Sequence, residues 1–528
     1  MDPRPHPSSM FKPASEHLLI ALFLIGLLDR AICLHLFGFR FVGDDDGILW
    51  SAALDMGHGR FHWPYFYGQD YGPMLEALVA APFTWTGMPV RYLLPGCTTF
   101  LAMAPFWSFA LWHHRHGRAF QAAVFLTMPL LLPVEYSLMT TITRGLVTGT
   151  GLLALLPWTL DVRRPVLKDI LIGLVLGTAA FANPNTILFT GGFLIHLLLE
   201  RGAGLPLTLT RILIGALPAA LAHWAAQSYC AAHADHVVHS IHCWPISPTW
   251  PTVLHGVEML PKHLAWLFPV ATNYGELLLP GFVLLGAVAL RQRMIPLGVA
   301  LLSIPLLIIA SFIATKVDDG SLSVFYPYSR MYLALPLLFT WGVAGLFGSR
   351  IPGRTAAAAL LLFGLSNVAY KAEHLTGTVE RHKGRMPPFV FLEPMSLLER
   401  DARYIQAQAR KHGCSWLITL DHPARIPPQF RCYLYPALVD GSLGTRAYPR
   451  DRRHWQEDAT SDRVIPDLLI GGGDTAMWHR VAREDVRITL LSDTPFHALA
   501  VIHGNDLTTD SLVGRLMSVA PGHRAGIP

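Results

Sequence analysis

Three consecutive carboxylates, Asp44, Asp45 and Asp46, lie in the segment Gly43–Glu76, GDDDGILWSAALDMGHGRFHWPYFYGQDYGPMLE. Adjacent carboxylates make one another harder to ionise unless a cation or a hydrogen-bond donor is close. Such a run is unfavourable for stability alone. It suits a general base, a divalent-metal site or a binder of sugar hydroxyls. A single Asp also caps a helix and favours its dipole, and Ile48–Leu54 reads as the helix that follows. A cap needs one carboxylate and the run supplies three. Each of Asp44, Asp45 and Asp46 is a candidate for that base. Tyr65, Phe66, Tyr67, Gln69, Asp70 and Tyr71 follow around two glycines, ahead of Glu76. Aromatic faces interleaved with hydroxyl and amide groups suit a carbohydrate or prenyl-phosphate site, and the same mixture forms an aromatic belt at a membrane surface.

Cations that pair with an anionic ligand come later in the chain: Arg144, Lys316 and Arg330. Arg330 lies in SVFYPYSRMYLALP, where Tyr326, Tyr328 and Tyr332 line a pocket around a guanidinium fork that fits phosphate bidentately. Snorkelling at a span end is the plainer account of Arg330 and Lys316, and Asp318-Asp319 stand ready to pair with Lys316. His233, His236, His239 and His242 recur every three residues, with Asp235 among them. Two of these imidazoles suffice to share Zn²⁺, but in a chain with 25 histidines a polar amphipathic loop is the favoured reading. Asn183-Pro184-Asn185 is ordinary turn chemistry. Gly471–Gly473 matches neither the dinucleotide nor the P-loop spacing and reads as a turn. Cys230/Cys243 and Cys414/Cys432 are candidate disulfides, because disulfides persist outside the cytoplasm.

The elements that position these groups follow from composition. Of 528 residues, 52% are hydrophobic and 15% charged, and the mean hydropathy is +0.38. Soluble domains carry about 25% charged residues. A disordered chain, an ordinary cytosolic enzyme and a nucleic-acid binder are excluded, since a net charge of +5 makes no phosphate-backbone footprint. A bilayer crossing needs about 20 apolar residues. Candidate spans fall near 17–38, 92–112, 119–139, 145–160, 169–182, 186–199, 212–228, 278–290, 294–314, 331–347 and 356–370, about eleven in all. The stretch 74–87 is brief and reads as an interfacial helix. Lys and Arg in short loops place the amino terminus in the cytoplasm and 39–91, 141–144, 183–185, 229–277 and 315–330 outside. No small-residue cleavage site follows Leu18–Leu28; Asp29-Arg30 interrupts a first span there and reads as a self-satisfied pair. Residues 1–370 are thus a membrane domain. Residues 371–528 are an external α/β tail, with a helix over Met395–Lys411 and strands near Trp416–Leu420, Pro466–Ile470, Val486–Leu491 and Phe496–Ile502.

The order of features resembles the GT-C superfamily of polyprenyl-phosphate-sugar-dependent glycosyltransferases, in the branch of protein O-mannosyltransferases and lipid A aminoarabinose transferases. The matching elements are Asp45-Asp46 after the first span, the short helix Ile48–Gly59, and Phe66–Gly72 leading into Met74–Leu78. Leu132-Pro-Val-Glu-Tyr-Ser137 and Tyr328–Pro336 also match. The usual Asp-Glu is Asp-Asp here, and Thr143-Arg144-Gly145 offers Arg where a second carboxylate is usual. The resemblance implies an inner-membrane enzyme that transfers a sugar from a polyprenyl-phosphate donor to a lipid, glycan or protein acceptor outside. It implies Asp45 as base, with Glu135, or else Glu76, as a second acidic group. Arg330, with Lys316, Arg144, Tyr328 and Tyr332, would hold the lipid phosphate, while Tyr67, Gln69, Asp70, Tyr71 and Glu76 contact substrate. No cofactor is required, although a divalent ion at Asp44/Asp45/Asp46 is compatible with the run. A transporter or flippase of lipid-linked sugars is the alternative; it predicts polar residues deep in several spans and repeated halves.

Overall fold

A computed structural model describes residues 13–270, 274–324, 326–347, 354–381, 392–420, 443–448, 451–472, 487–494 and 497–518. Each expected apolar segment falls on helix. Glu16–Gly38, Val90–Arg115, Pro165–Ala182 and Leu205–Ala232 are each long and apolar enough to cross a membrane, and Ala119–Leu131, Ile295–Ser311 and Leu335–Leu346 are shorter apolar helices. Leu213, Ile214, Leu217, Leu221 and Trp224 stand exposed along one of them. An apolar outer surface of this kind belongs in lipid, where a helix satisfies its own backbone.

Three departures from regular spans shape the outer end. The first span is an α-helix, α1 (Pro13–Cys33), that closes in a π-helical turn, Leu34–Gly38. Gly38 lies so close to the chain that a Cβ would stand 2.4 Å from the Thr141 methyl. The expected span 119–139 is divided into α5 (Ala119–Leu131) and α6 (Val134–Met139). Leu132 is extended there because Pro133 disfavours helical backbone in the residue before it. The expected span 145–160 is likewise three short helical pieces over Thr148–Leu160. These breaks deliver residues 140–147 to the mouth of the bundle. Between them, α2 (Asp44–Gly57) and α3 (Leu75–Thr84) pack together outside α1, and α4 (Val90–Arg115) follows. At ten residues α3 is too short to cross a bilayer.

A charged cluster is sealed inside the helices. Asp29 carries the Arg30 guanidinium on one oxygen and Lys371 Nζ at 3.3 Å on the other, and Ser137 and Thr140 complete the shell. Asp29, Arg30 and Lys371 are all almost wholly buried. Lys371 lies on Arg354–Arg381, which runs unbroken through residue 370, so the last span and the start of the tail are one helix.

The tail holds a sheet in the order β4-β3-β5-β7-β6. Trp416–Leu420 (β3) pairs in parallel with Gly444–Tyr448 (β4) and Leu468–Gly472 (β5), and Arg487–Thr494 (β6) and His497–His503 (β7) form an antiparallel hairpin on β5. Met395–His412 divides its apolar stripe: Ala409 and Ile405 pack on the sheet, while Met395, Leu398 and Ala402 join the core around α2. Strand β4 escaped the sequence reading because Gly444-Thr-Arg-Ala-Tyr448 has no apolar alternation. The tail docks on the membrane domain through β1 (Phe41–Val42) against β2 (Glu393–Pro394) and an Arg91–Glu399 ion pair.

Candidate active site

The carboxylate run enters α2 through Gly43, extended at φ −118° and ψ 179°. Asp46 turns back to cap the helix. One oxygen accepts the Gly43 N–H at 2.8 Å, and the other accepts the Thr143 N–H at 2.9 Å. Burial pushes its carboxyl up to about 7, against the pull of Arg144 and the backbone donors. Asp45, one residue earlier, points elsewhere. Arg144 pairs with one of its oxygens and Arg452 of the tail meets the other at 2.7 Å. Burial works to raise the Asp45 carboxyl, but the two guanidinium groups outweigh it and hold it well below the usual carboxylate range. Asp44 opens the helix, and its side chain lies outside the described residues.

Arg144 stands on a loop that the acidic groups hold. Asp46 grips Thr143, and Glu76 of α3 accepts the Thr98 hydroxyl at 2.7 Å, which itself lies 3.2 Å from the Thr143 hydroxyl. Glu76 is fully buried, and that burial pushes its carboxyl up to about 8. Gly145 takes φ +73°, a backbone that side-chain-bearing residues rarely adopt. From the far side, Asn183 donates to Gly145 O at 2.9 Å, and Asn185 donates to Leu146 O at 2.6 Å and to Arg330 O at 3.3 Å. The Asn-Pro-Asn turn therefore ties the Arg144 loop to the Arg330 turn, a role that turn chemistry alone did not suggest.

Arg330 and Lys316 complete a cationic wall. Arg330 is buried, donates to Pro327 O at 3.1 Å and Lys316 O at 3.3 Å, and stacks 4.0 Å from the Tyr326 ring. Lys316 Nζ lies 3.1 Å from the Trp244 ring centre and 3.6 Å from Asp319, with Tyr71 5.1 Å away. Burial, then the charge of Arg330, lowers the Lys316 ammonium to about 8. Burial foremost, and then the neighbouring Tyr326 and Asp45, raises the Tyr71 phenol. Asp45, Arg144, Lys316, Arg330 and Tyr71 thus meet in one place from three separate segments between the spans.

Other expected site residues lie apart from this wall. Tyr67 donates its hydroxyl to Asp55 at 3.1 Å and packs edge-on to Trp455. Asp70 accepts Ser240 Oγ at 2.5 Å and the Ile241 N–H at 2.6 Å, which fixes the loop after Leu205–Ala232, while Gln69 bridges to His239 through backbone. Tyr332 is buried with its hydroxyl on Ser311 at 2.8 Å. The Tyr328 ring lies edge-on to His263, which in turn meets Asp318 at 2.8 Å. Glu135 is half-buried in the first turn of α6. The charge of Asp46 adds to the burial that raises the Glu76 carboxyl.

Among the described residues no three His, Cys, Asp or Glu side chains are placed to share a metal ion. Asp45 is taken by two guanidinium groups and Asp46 by two backbone N–H groups, so this pair does not fit a divalent cation. Cys432 and the Cys243 side chain lie outside the described residues, and with them both expected disulfides. Two contributors were missed in the sequence. Arg452 sits in a charged stretch with no local feature to single it out, and Trp244 lies in a loop read for its histidines and cysteines.

No protein-family model and no curated protein matches the sequence. Two solved structures do match its fold. The crystal structure of ArnT from Cupriavidus metallidurans in the apo state superposes with a TM-score of 0.58 at 11% identity, covering 92% of this chain and 98% of that one. The same protein bound to undecaprenyl phosphate gives 0.55 at 12% identity, with the same coverage. The likeness establishes a GT-C-like fold, that of a polytopic membrane protein with a small carboxyl-terminal domain.

Proposed function

We propose that the chain is an integral inner-membrane glycosyltransferase that moves a sugar from a polyprenyl-phosphate-linked donor to a lipid, glycan or protein acceptor. The reaction takes place on the extracytoplasmic face, with the amino terminus inside and the tail outside. The observation that carries this reading is the convergence of Asp45 with Arg144, Lys316 and Arg330 at one end of the helices. Undecaprenyl phosphate bound to the structural neighbour supports a lipid phosphate as the ligand of that wall.

In this reaction Asp45 takes the proton of the acceptor hydroxyl as its oxygen attacks the anomeric carbon. The bond to the lipid phosphate breaks, and the charge that develops on the leaving phosphate is met by Arg330, Arg144 and Lys316. Tyr71 and Tyr326 give aromatic walls to the sugar or the prenyl head. Asp46 and Glu76 hold the Arg144 loop in register.

The test is a panel of radiolabelled polyprenyl-phosphate sugars offered to the purified protein in nanodiscs, beside an Asp44/Asp45/Asp46→Asn triple variant of equal folding. Wild type transfers or hydrolyses at least one donor, and the variant loses the activity by about 10²- to 10⁴-fold. Donor binding without turnover in either protein would favour a lipid-linked-sugar transporter and reduce the aspartates to caps.

A further inference from the structure

One guanidinium neutralises one carboxylate, yet Asp45 carries two, from residues 99 and 407 positions along the chain. A base held this far below the usual range accepts protons poorly. The resting arrangement therefore conflicts with catalysis unless one guanidinium leaves.

The two arginines are held differently. The Arg144 side chain is 8% exposed, on a loop clamped by Asp46, Glu76, Asn183 and Asn185. The Arg452 side chain is 23% exposed, reaches in from the tail, and spans the Phe66 ring at 6.0 Å. Its backbone is nevertheless seated with care. Gly68, at φ +72°, lies so close that a Cβ there would stand 3.0 Å from the Arg452 Cα. Beyond it, Arg453 donates to Thr445 O at 2.6 Å, His454 stacks on His236 at 4.0 Å, and Trp455 stacks on His62 at 3.9 Å. The main chain is fixed, and the guanidinium reaches Asp45 through a side chain more exposed than that of Arg144.

Charge points the same way. Arg144, Arg452, Lys316 and Arg330 face Asp45 and Asp319, while Asp46 and Glu76 bind protons near neutrality. The excess of two positive charges more than meets the single charge of the donor's phosphodiester and matches the polyprenyl phosphate monoester released as the sugar leaves, about −1.5 to −2 at neutral pH.

We propose that Arg452 is a phosphate-binding residue delivered by the carboxyl-terminal domain: it rests on Asp45 in the empty site and moves to the donor's phosphate, releasing the carboxylate to act as base. The tail thereby completes the site, and Asp45 becomes basic only when a phosphate is present. The inference rests on the proposed reaction for the identity of the ligand.

The experiment measures binding of undecaprenyl phosphate and of uncharged undecaprenol to the full-length protein in nanodiscs, for wild type, Arg452→Gln and Arg452→Lys. Arg452→Gln is expected to weaken undecaprenyl phosphate by about 10- to 100-fold and leave undecaprenol unchanged, with partial recovery in Arg452→Lys. The acidic limb of kcat/KM, which reports the empty enzyme, should move to higher pH in Arg452→Gln because Asp45 loses a cation. Equal phosphate binding by wild type and Arg452→Gln overturns the inference alone. So does an equal loss of both ligands, which would make Arg452 a docking contact. A wild type that does not prefer the phosphate overturns the inference together with the proposed function.

Discussion

Asp29 and Asp45 are the same motif in two places, a carboxylate bracketed by two cations. Asp29 lies between Arg30 and Lys371 and Asp45 between Arg144 and Arg452. At Asp29 the side chain is 2% exposed, and Ser137 and Thr140 take further donors of the cluster. At Asp45 the side chain is 19% exposed, and Lys316 and Arg330 lie beyond the pair with no second carboxylate of their own except Asp319 among the described residues. Access and the further cations beyond the pair separate the two clusters, since a sealed set has nothing to offer a ligand. The cation excess at the outer site is what an anionic substrate would complete.

That contrast can be attacked from either end. The largest stability effect belongs to the sealed cluster. Asp29→Asn leaves Arg30 and Lys371 buried without their counter-charge, a loss of about 3–5 kcal/mol. Denaturant unfolding in detergent should show it, while sugar transfer per folded molecule stays near the wild-type rate. A comparable loss of stability in Asp45→Asn would erase the distinction.

A smaller effect is expected from pH. The Lys316 ammonium, lowered to about 8, is charged below that pH and neutral above it. Affinity for a lipid phosphate should therefore fall several-fold as pH rises through about 8, and Lys316→Arg should remove the fall. Titrating undecaprenyl phosphate binding between about pH 6.5 and 9.5 checks both statements. The smallest effect is that of Asn185→Ala, which unties the Arg144 loop from Arg330. It should raise KM for the donor by about 5- to 10-fold, corresponding to one or two hydrogen bonds, with kcat little changed.

Much of the outer site was legible because its chemistry is local in type. The carboxylate run, Arg144, Lys316 and Arg330 stand out as charges at the ends of apolar spans, and the structure pairs Asp45 with Arg144 and sets it close enough to Lys316 to act on its charge. The reading stalled where side chains of one kind divide their tasks. Asp45 and Asp46 are adjacent and identical, and only the Gly43 cap and the Thr143 N–H decide which is occupied. Tyr67 and Asp70 look like substrate contacts by composition, yet their polar atoms serve Asp55, Ser240 and Ile241. The fold shows the same limit. Span positions follow from hydropathy, whereas the break at Leu132-Pro133 required weighing one proline against a long apolar run. Arg452 could not be found at all, because its partner lies 407 residues away and only the docked tail brings them together.

On the proposed mechanism, one carboxylate of the run is reactive and its neighbour structural. Asp45→Asn and Asp46→Asn should be compared in one transfer assay with a polyprenyl-phosphate sugar, each rate normalised to folded protein. The account predicts a loss of about 10²- to 10⁴-fold for Asp45→Asn and less than about 10-fold for Asp46→Asn. Equal losses, or a loss confined to Asp46→Asn, would contradict it.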